Sequence, residues 1–325
     1  MTKKGGPKLL VTGCAGFIGS QFVDHLIEIK KVYPKNIIGI DNFSTGRRDR
    51  VNKKITFYEG SVTDPELVNK IFKKHKPDYV FHFAAIPRVS YSVEYPAKTT
   101  NNNITGLVNV LESAKNYKAK RVIYSSSSSV YGKAESLPVN EEKNKPNPLS
   151  PYALQKHMSE LLCKMFSTLY GLDTVSLRYF NVYGPGQYGD SPYSTVISAW
   201  LDGIYHSPNK KLFLEGNGKQ SRDFCFVENV IQANIKAMET KKPLKGEAIN
   251  IAHGERTNLS TVKKLIEKHS DTEIKLASYP PRIGDIPHTQ ADISKAKKLL
   301  GYTPSINFEE GLKKTIDWHK FLISK

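Results

Sequence analysis

The sequence predicts an α/β protein built on a doubly wound parallel sheet, with a smaller C-terminal α/β substrate-binding lobe. Three observations predict it. Apolar runs of strand length alternate with segments of helical period, and the runs are nearly uniform in hydrophobicity, as parallel strands covered on both faces are. A glycine turn joins the first run to the first helix. After Gly184-Pro185-Gly186 the chain changes character, and loops rich in Gly, Pro and Tyr alternate with short apolar segments to about Asp223. The expected division is therefore 1–182 as a nucleotide-binding domain, with 227–255 returning to it, and 183–226 with 256–325 as the second lobe.

The elements follow in order. Leu9-Leu10-Val11-Thr12 reads as a buried strand, Gly13-Cys14-Ala15-Gly16-Phe17-Ile18-Gly19 as the turn, and the stretch through Phe22, Leu26 and Ile29 as an amphipathic helix. Such a Rossmann-type turn lets backbone N–H groups approach a pyrophosphate at the helix N-terminus. The second strand, Ile37-Ile38-Gly39-Ile40-Asp41, ends in an acid about 20 residues beyond the glycines, where a carboxylate meets an adenosine ribose and favours NAD over NADP. Arg47 and Arg48 leave a 2′-phosphate reading open at this stage.

Residues 54–58 form a third strand, and Gly60-Ser61-Val62-Thr63-Asp64 turns into a helix carrying Leu67, Ile71 and Phe72. Residues 78–85 form a fourth strand, ending in His82-Phe83-Ala84-Ala85. Small residues there leave room for a cofactor, and His82 inside an apolar run reads as a hydrogen-bonded core histidine. A helix over 102–114 leads to a fifth strand, 121–124, which ends in the serine run Ser125 to Ser129 in a strand–turn context. Ligands of open α/β sheets collect at the carboxyl ends of strands, so a serine hydroxyl there is a candidate hydrogen-bond partner for a substrate. A sixth strand, 174–180, delivers Arg178-Tyr179-Phe180-Asn181. A helix over 227–238, a strand over 248–251 and helices over 294–300 and 308–322 complete the chain.

The net charge of +17 is spread through lysine pairs such as Lys73-Lys74 and Lys297-Lys298, on candidate helix faces. With no basic stripe interleaved with stacking aromatics, the charge fits solvated faces and an anionic small substrate, and no nucleic-acid partner is expected. No apolar run is long enough to span a bilayer, so no membrane association is expected. Cys14, Cys163 and Cys225 make neither a disulfide framework nor a metal pattern. With no signal peptide read at the N-terminus, the expectation is a cytoplasmic protein without a metal.

The chemistry centres on Tyr152-Ala-Leu-Gln-Lys156. Four residues apart on a helix, the two side chains share one face. The lysine ammonium is expected to lower the phenol from about 10 toward neutral pH, making it a base toward a hydroxyl group.

Taken together, Gly13-x-x-Gly16-x-x-Gly19, Asp41-Asn-Phe, His82-Phe-Ala-Ala85, Ser125 to Gly132, Tyr152-x-x-x-Lys156, Arg178-Tyr-Phe-Asn181-Val-Tyr-Gly-Pro185, Ser221-Arg-Asp-Phe224 and Arg282-x-Gly-Asp285 make the chain resemble the extended short-chain dehydrogenase/reductases. Within them it resembles the NAD-dependent nucleotide-sugar 4-epimerases, from end to end. The resemblance implies Ser127, Tyr152 and Lys156 as catalytic residues. It implies NAD contacts from Gly13, Gly16, Phe17, Ile18, Gly19, Asp41, Asn42, Phe43, Ser44, Thr45, Gly46, Ser61, Val62, Ala84, Ala85, Asn103, Tyr152, Lys156 and Tyr179. It implies substrate contacts from Ser127, Ser128, Asn181, Arg222, Arg282, Asp285 and Thr289.

Where nucleotide-sugar 4,6-dehydratases carry Thr-Asp-Glu, this chain has Ser127-Ser128-Ser129, so epimerisation is favoured over water elimination. Thr289 matches the position beside the sugar C2 substituent. Being small, it admits an N-acetyl group and favours UDP-N-acetylglucosamine, with UDP-glucose as a second substrate. A uronate epimerase and a catalytically silent NAD-binding regulator are the rivals. The family also implies a homodimer paired through the helix of the Tyr-Lys motif and its predecessor, with apolar residues along 107–114 and 161–169 available for it.

Overall fold

The computed structural model describes residues 5–190, 194–207, 209–280 and 286–324. Seven strands form one sheet: β1 Leu9–Thr12, β2 Ile37–Asp41, β3 Thr56–Glu59, β4 Tyr79–His82, β5 Arg121–Ser127, β6 Thr174–Tyr179 and β7 Glu247–Ile251. Their spatial order is β7-β6-β5-β4-β1-β2-β3. The pairs β1–β2, β1–β4, β2–β3 and β4–β5 are parallel. Strand order reverses at β1, and that switch point opens a crevice at the carboxyl ends of the strands.

Four helices matter for the site: α1 Phe17–Glu28, α2 Pro65–His75, α3 Gly106–Asn116 and α4 Pro151–Tyr170. Local causes fix the start of α2 and both ends of α4. The Asp64 carboxylate accepts from the backbone N–H groups of Glu66 and Leu67, and Pro65 pre-sets the first turn of α2. Ser150 caps α4 by accepting from the Ala153 N–H at 3.1 Å, with Pro151 in the first turn, and Gly171 at φ +68° ends it.

Strand residues alternate between two covered faces. Leu10, Ile38, Ile40, Val80 and Val122 pack with Ile71, Phe72, Leu107, Val110, Leu111 and Phe166 from α2, α3 and α4. On the other face Phe22 of α1 meets Phe81 at 4.3 Å between ring centroids. A fully buried aliphatic or aromatic side chain contributes roughly 1.5–3 kcal/mol, so these two layers fix the sheet that presents the strand ends.

The chain divides into two compact units. The first holds residues 1–130, 148–178 and 233–249; the second holds 131–147, 179–232 and 250–325. Of the stretch 227–255 expected to return to the nucleotide-binding half, 233–249 lies with the first unit, and residues 131–147 lie with the second. The second unit contains the helices Val196–Tyr205, Leu259–Ser270 and Phe308–Ile323 and several two- to four-residue strands, including Leu212–Glu215 paired with Leu276–Tyr279.

Two local expectations are corrected. The fifth strand runs on through Ser125 to Ser127, and the turn begins only at Ser128. Serine favours turns by its local hydrogen bonding, but here the sheet and α4 bury Ser125 and Ser126 and hold them extended. The segment expected as one helix over 102–114 opens with a π turn, Asn101–Thr105, before α3.

Candidate active site

In the first unit the glycine turn closes over the end of β4. Gly13 has φ +71°, and a Cβ there would lie 2.7 Å from the Ala84 backbone nitrogen; a Cβ at Gly19 would lie 2.2 Å from the Gly13 carbonyl oxygen. Only glycine allows that backbone conformation and that closeness of helix to turn.

The Asp41 carboxylate is buried. It accepts from the Ala15 N–H at 2.9 Å and the Phe43 N–H at 2.8 Å, so it joins the glycine turn to the loop after β2. Burial raises its pKa, while those backbone bonds pull the other way. Phe43 takes the left-handed conformation (φ 58°) that this loop requires.

Around the turn lies a pocket lined by Gly13, Gly16, Asp41, Asn42, Ser44, Thr45, Val62, Ala84 and Ala85 among the residues expected there. Ile40, Gly60, Phe83 and Asn102 line it too and were not expected. Phe17, Ile18, Gly19, Phe43, Gly46 and Ser61 belong to the same turns and loops without lining the pocket. A lining of glycine and alanine, with one carboxylate at the strand end, suits a dinucleotide. Arg48 is engaged by Glu59 through two 2.7 Å bonds and Arg47 by Asp49 at 3.3 Å.

Asn103 is placed differently from the expectation. Its amide bonds the Ile86 backbone on both sides and donates to Gln155 at 2.8 Å, which makes it a tie between the loop after β4 and α4. Its neighbour Asn102 takes the pocket position. A run of three asparagines gives no sign of which one faces in.

At the end of β5 the serine run meets α4. Lys156, buried, donates to the Ser125 carbonyl at 2.6 Å; its Nζ lies 4.8 Å from the Tyr124 ring centroid and 5.7 Å from that of Tyr152. Ser127 lies close enough to the Tyr152 phenol to act on its pKa, and the Ser129 N–H donates back to Ser127 Oγ at 3.2 Å. Ser128 follows in the turn. Ser127, Tyr152 and Lys156 are thus brought together.

The pKa expected of Tyr152 is corrected. Burial pushes the phenol up to about 12, with the neighbouring Ser127 acting in the opposite sense, and burial brings Lys156 down to about 7. Helical spacing puts the lysine beside the tyrosine but does not report how completely both leave water. His82 is a core histidine: its Nδ1 pairs with Thr12 Oγ1 at 3.0 Å, and burial with the Lys156 charge lowers it to about 3, so it stays neutral.

In the second unit Thr289 Oγ1 accepts from Asn181 Nδ2 at 3.2 Å and from the Asp223 N–H at 3.3 Å. Arg222 donates to the Ser221 and Pro287 carbonyls. Asp223, absent from the sequence reading as a functional residue, is fully buried and accepts from the backbone N–H groups of His253, Gly254 and Ala291. It therefore ties together the loops that carry Asn181, Arg222 and Thr289. Tyr179 is buried at the end of β6. Arg282 and Asp285 lie outside the described residues.

Among the described residues no helix is long and apolar enough to cross a membrane. Residues 9–252 match the NAD dependent epimerase/dehydratase family. The chain is 35% identical to the UDP-glucose 4-epimerase of Thermotoga maritima, solved with UDP-glucose, over 97% of this chain and 99% of that one, with a TM-score of 0.90. It is 36% identical to the UDP-N-acetylglucosamine 4-epimerase of Methanobrevibacter ruminantium M1, solved with UDP-N-acetylmuramic acid, over the whole of both chains, with a TM-score of 0.89. It is 33% identical to the UDP-glucuronic acid 4-epimerase of Bacillus cereus, solved with UDP-glucuronic acid and NAD, over 97% and 99%, with a TM-score of 0.86.

Proposed function

The chain belongs to the NAD dependent epimerase/dehydratase family, among its nucleotide-sugar 4-epimerases, and on that premise we propose that it interconverts UDP-N-acetylglucosamine and UDP-N-acetylgalactosamine, with UDP-glucose and UDP-galactose as a second pair. The observation that carries the reading is the convergence of Ser127, Tyr152 and Lys156 at the end of β5.

NAD is the cofactor of this family, and the glycine-lined pocket ending at Asp41 fits it: Gly13 and Gly16 would lie against the pyrophosphate and Asp41 would accept from the adenosine ribose. When bound, NAD supplies reversible oxidation at the sugar C4. The protein's own groups handle the proton. Tyr152 Oη takes the proton from the sugar O4 and later returns it, and Ser127 holds the same oxygen. Lys156, while charged, stabilises the phenolate. Ser127-Ser128-Ser129 offers no carboxyl group for water elimination, which supports epimerisation over dehydration.

Asn181, Arg222, Arg282 and Asp285 are proposed for the diphosphate and uridine, since guanidinium forks suit phosphate oxygens. Thr289 supports the N-acetyl reading by its size. Thr289→Tyr is expected to lower kcat/KM for UDP-N-acetylglucosamine at least about tenfold more than for UDP-glucose, because steric discrimination in a pocket is worth roughly 1–3 kcal/mol. The comparison between substrates cancels the loss of the Asn181 and Asp223 bonds. Equal losses on both would remove Thr289 from sugar selection.

A cytoplasmic setting is proposed on the three free, buried cysteines. A homodimer is proposed on the outer face of α4, where Leu154, Met158, Leu161, Met165 and Leu169 are exposed in a stripe at helical spacing. Leu107, Val110, Leu111 and Ala114 are core, not interface, which narrows the expected surface to α4 and to the exposed Val89 and Val93 on the short helix Val89–Glu94. Sedimentation is expected to give a dimer for the protein and a monomer for Leu161→Glu/Met165→Glu; a wild-type monomer would end this proposal.

A further inference from the structure

Behind the Tyr-Lys pair lies a buried ion pair that the reaction as described does not use. Glu160 sits one helical turn beyond Lys156 on α4. Its Oε1 accepts from Arg178 Nε at 2.8 Å and from Ser126 Oγ at 2.5 Å, and its Oε2 accepts from Arg178 Nη2 at 2.7 Å. Glu160, Arg178 and Ser126 are 5%, 4% and 3% exposed. The three come from α4, β6 and β5, so a single carboxylate ties one helix to two neighbouring strands.

We propose that Glu160 is a positioning residue for the Tyr152–Lys156 pair, locking the strand end that carries Ser127 against the helix that carries Tyr152 and Lys156, and placing a negative charge one turn from the lysine.

The register of the serine run carries the first half of this. Three successive residues of β5 each meet a different group on α4: the Ser125 carbonyl accepts from Lys156, the Ser126 hydroxyl donates to Glu160, and Ser127 lies beside the Tyr152 phenol. Ser126 is the middle one. If it moves, the two contacts that define the reacting pair move with it. A buried ion pair adds little net stability over well-packed apolar residues, so its presence here fits positioning better than it fits strength.

The groups around Lys156 carry the second half. Those facing it are His82 on β4, Tyr124 on β5, and Tyr152, Glu160 and Cys163 on α4. Burial keeps His82 neutral and pushes the Tyr124 and Tyr152 phenols and the Cys163 thiol up, so these four carry no charge near neutral pH. Burial also works against an ionised Glu160, but Arg178, His157 and Ser126 prevail and lower it. Glu160 is thus the ionised group among those facing Lys156, and it opposes the burial that lowers the lysine.

The inference rests on the proposed roles of Tyr152 and Lys156, and the test keeps the two apart. Glu160→Gln preserves shape and removes charge. On UDP-N-acetylglucosamine, or on UDP-glucose if that is turned over faster, kcat is expected to fall about 10²-fold, as misplacement of reacting groups by about 1 Å does, with KM within about twofold. The rising limb of the kcat profile is expected to level off at lower pH, because Lys156 without the carboxylate releases its proton earlier. Glu160→Asp, which keeps the charge, should leave that limb in place.

Glu160→Met/Arg178→Met removes both buried charges and guards against a single variant that fails to fold. A purely structural pair predicts wild-type kcat in this double variant, whereas a positioning role predicts a folded protein that stays slow. A folded Glu160→Gln protein with wild-type kcat and pH profile, or a double variant with wild-type kcat, would overturn the proposal. Tyr152→Phe is measured alongside. If it retains wild-type turnover, the Tyr152 reading itself fails, whatever Glu160→Gln does.

Discussion

Tyr152→Phe is expected to lower kcat about 10³-fold while KM stays within about twofold, since a positioned general base contributes about 10²–10⁴. The substitution keeps the ring that packs beside Lys156 and removes only the hydroxyl that meets Ser127. Thermal unfolding and bound NAD should therefore stay near wild type, which separates chemistry from folding.

The pH dependence has a definite sign. In the chain alone, burial holds the Tyr152 phenol up at about 12. A base works deprotonated, so wild-type kcat rises with pH as the phenolate forms. Lys156, lowered to about 7, supports that phenolate only while charged; above that pH the loss of charged lysine offsets the gain in phenolate, so kcat rises to about pH 7 and is then level. The residual rate of Tyr152→Phe should lose the rising limb. Steady-state kinetics across pH check this. A variant that keeps more than a tenth of wild-type kcat, with the same rising limb, would remove Tyr152 from proton transfer.

Much of this site is legible in the sequence because its parts are local. Gly13, Gly16 and Gly19 lie between a strand and a helix, and their tight turn follows from residues a few places apart. Tyr152 and Lys156 share a helix face by spacing alone. What the sequence conceals depends on distant neighbours. The serine run reads as a turn by propensity, yet Ser125 to Ser127 are strand, because α4 buries Ser125 and Ser126 and bonds both. The tyrosine's pKa depends on burial, which no spacing reports. Asn103 and Asn102 are indistinguishable in a run of three until Gln155 and Ile86 take up one of them. Glu160, Arg178 and Ser126 are more than 15 residues apart in sequence, and nothing local marks them as a cluster. The apolar stretch 107–114 and the stripe on α4 look alike in sequence, but only the second is left exposed.

The largest effect expected is all-or-none: turnover without added cofactor. Oxidation at C4 followed by reduction at the same carbon consumes no net NAD, so a protein that keeps NAD in the pocket lined by Gly13, Gly16 and Asp41 needs no supply of it. The direct test is nuclear magnetic resonance of purified protein given UDP-N-acetylglucosamine, UDP-glucose or UDP-glucuronate separately, with no NAD added. The C4 epimers and any 4-keto-6-deoxy product are integrated. The expected result is UDP-N-acetylgalactosamine growing to equilibrium from UDP-N-acetylglucosamine, with slower formation of UDP-galactose from UDP-glucose. Turnover of UDP-glucuronate alone would contradict the sugar assignment, and a 4-keto-6-deoxy product, or no C4 epimer from any of the three, would contradict the epimerase account itself.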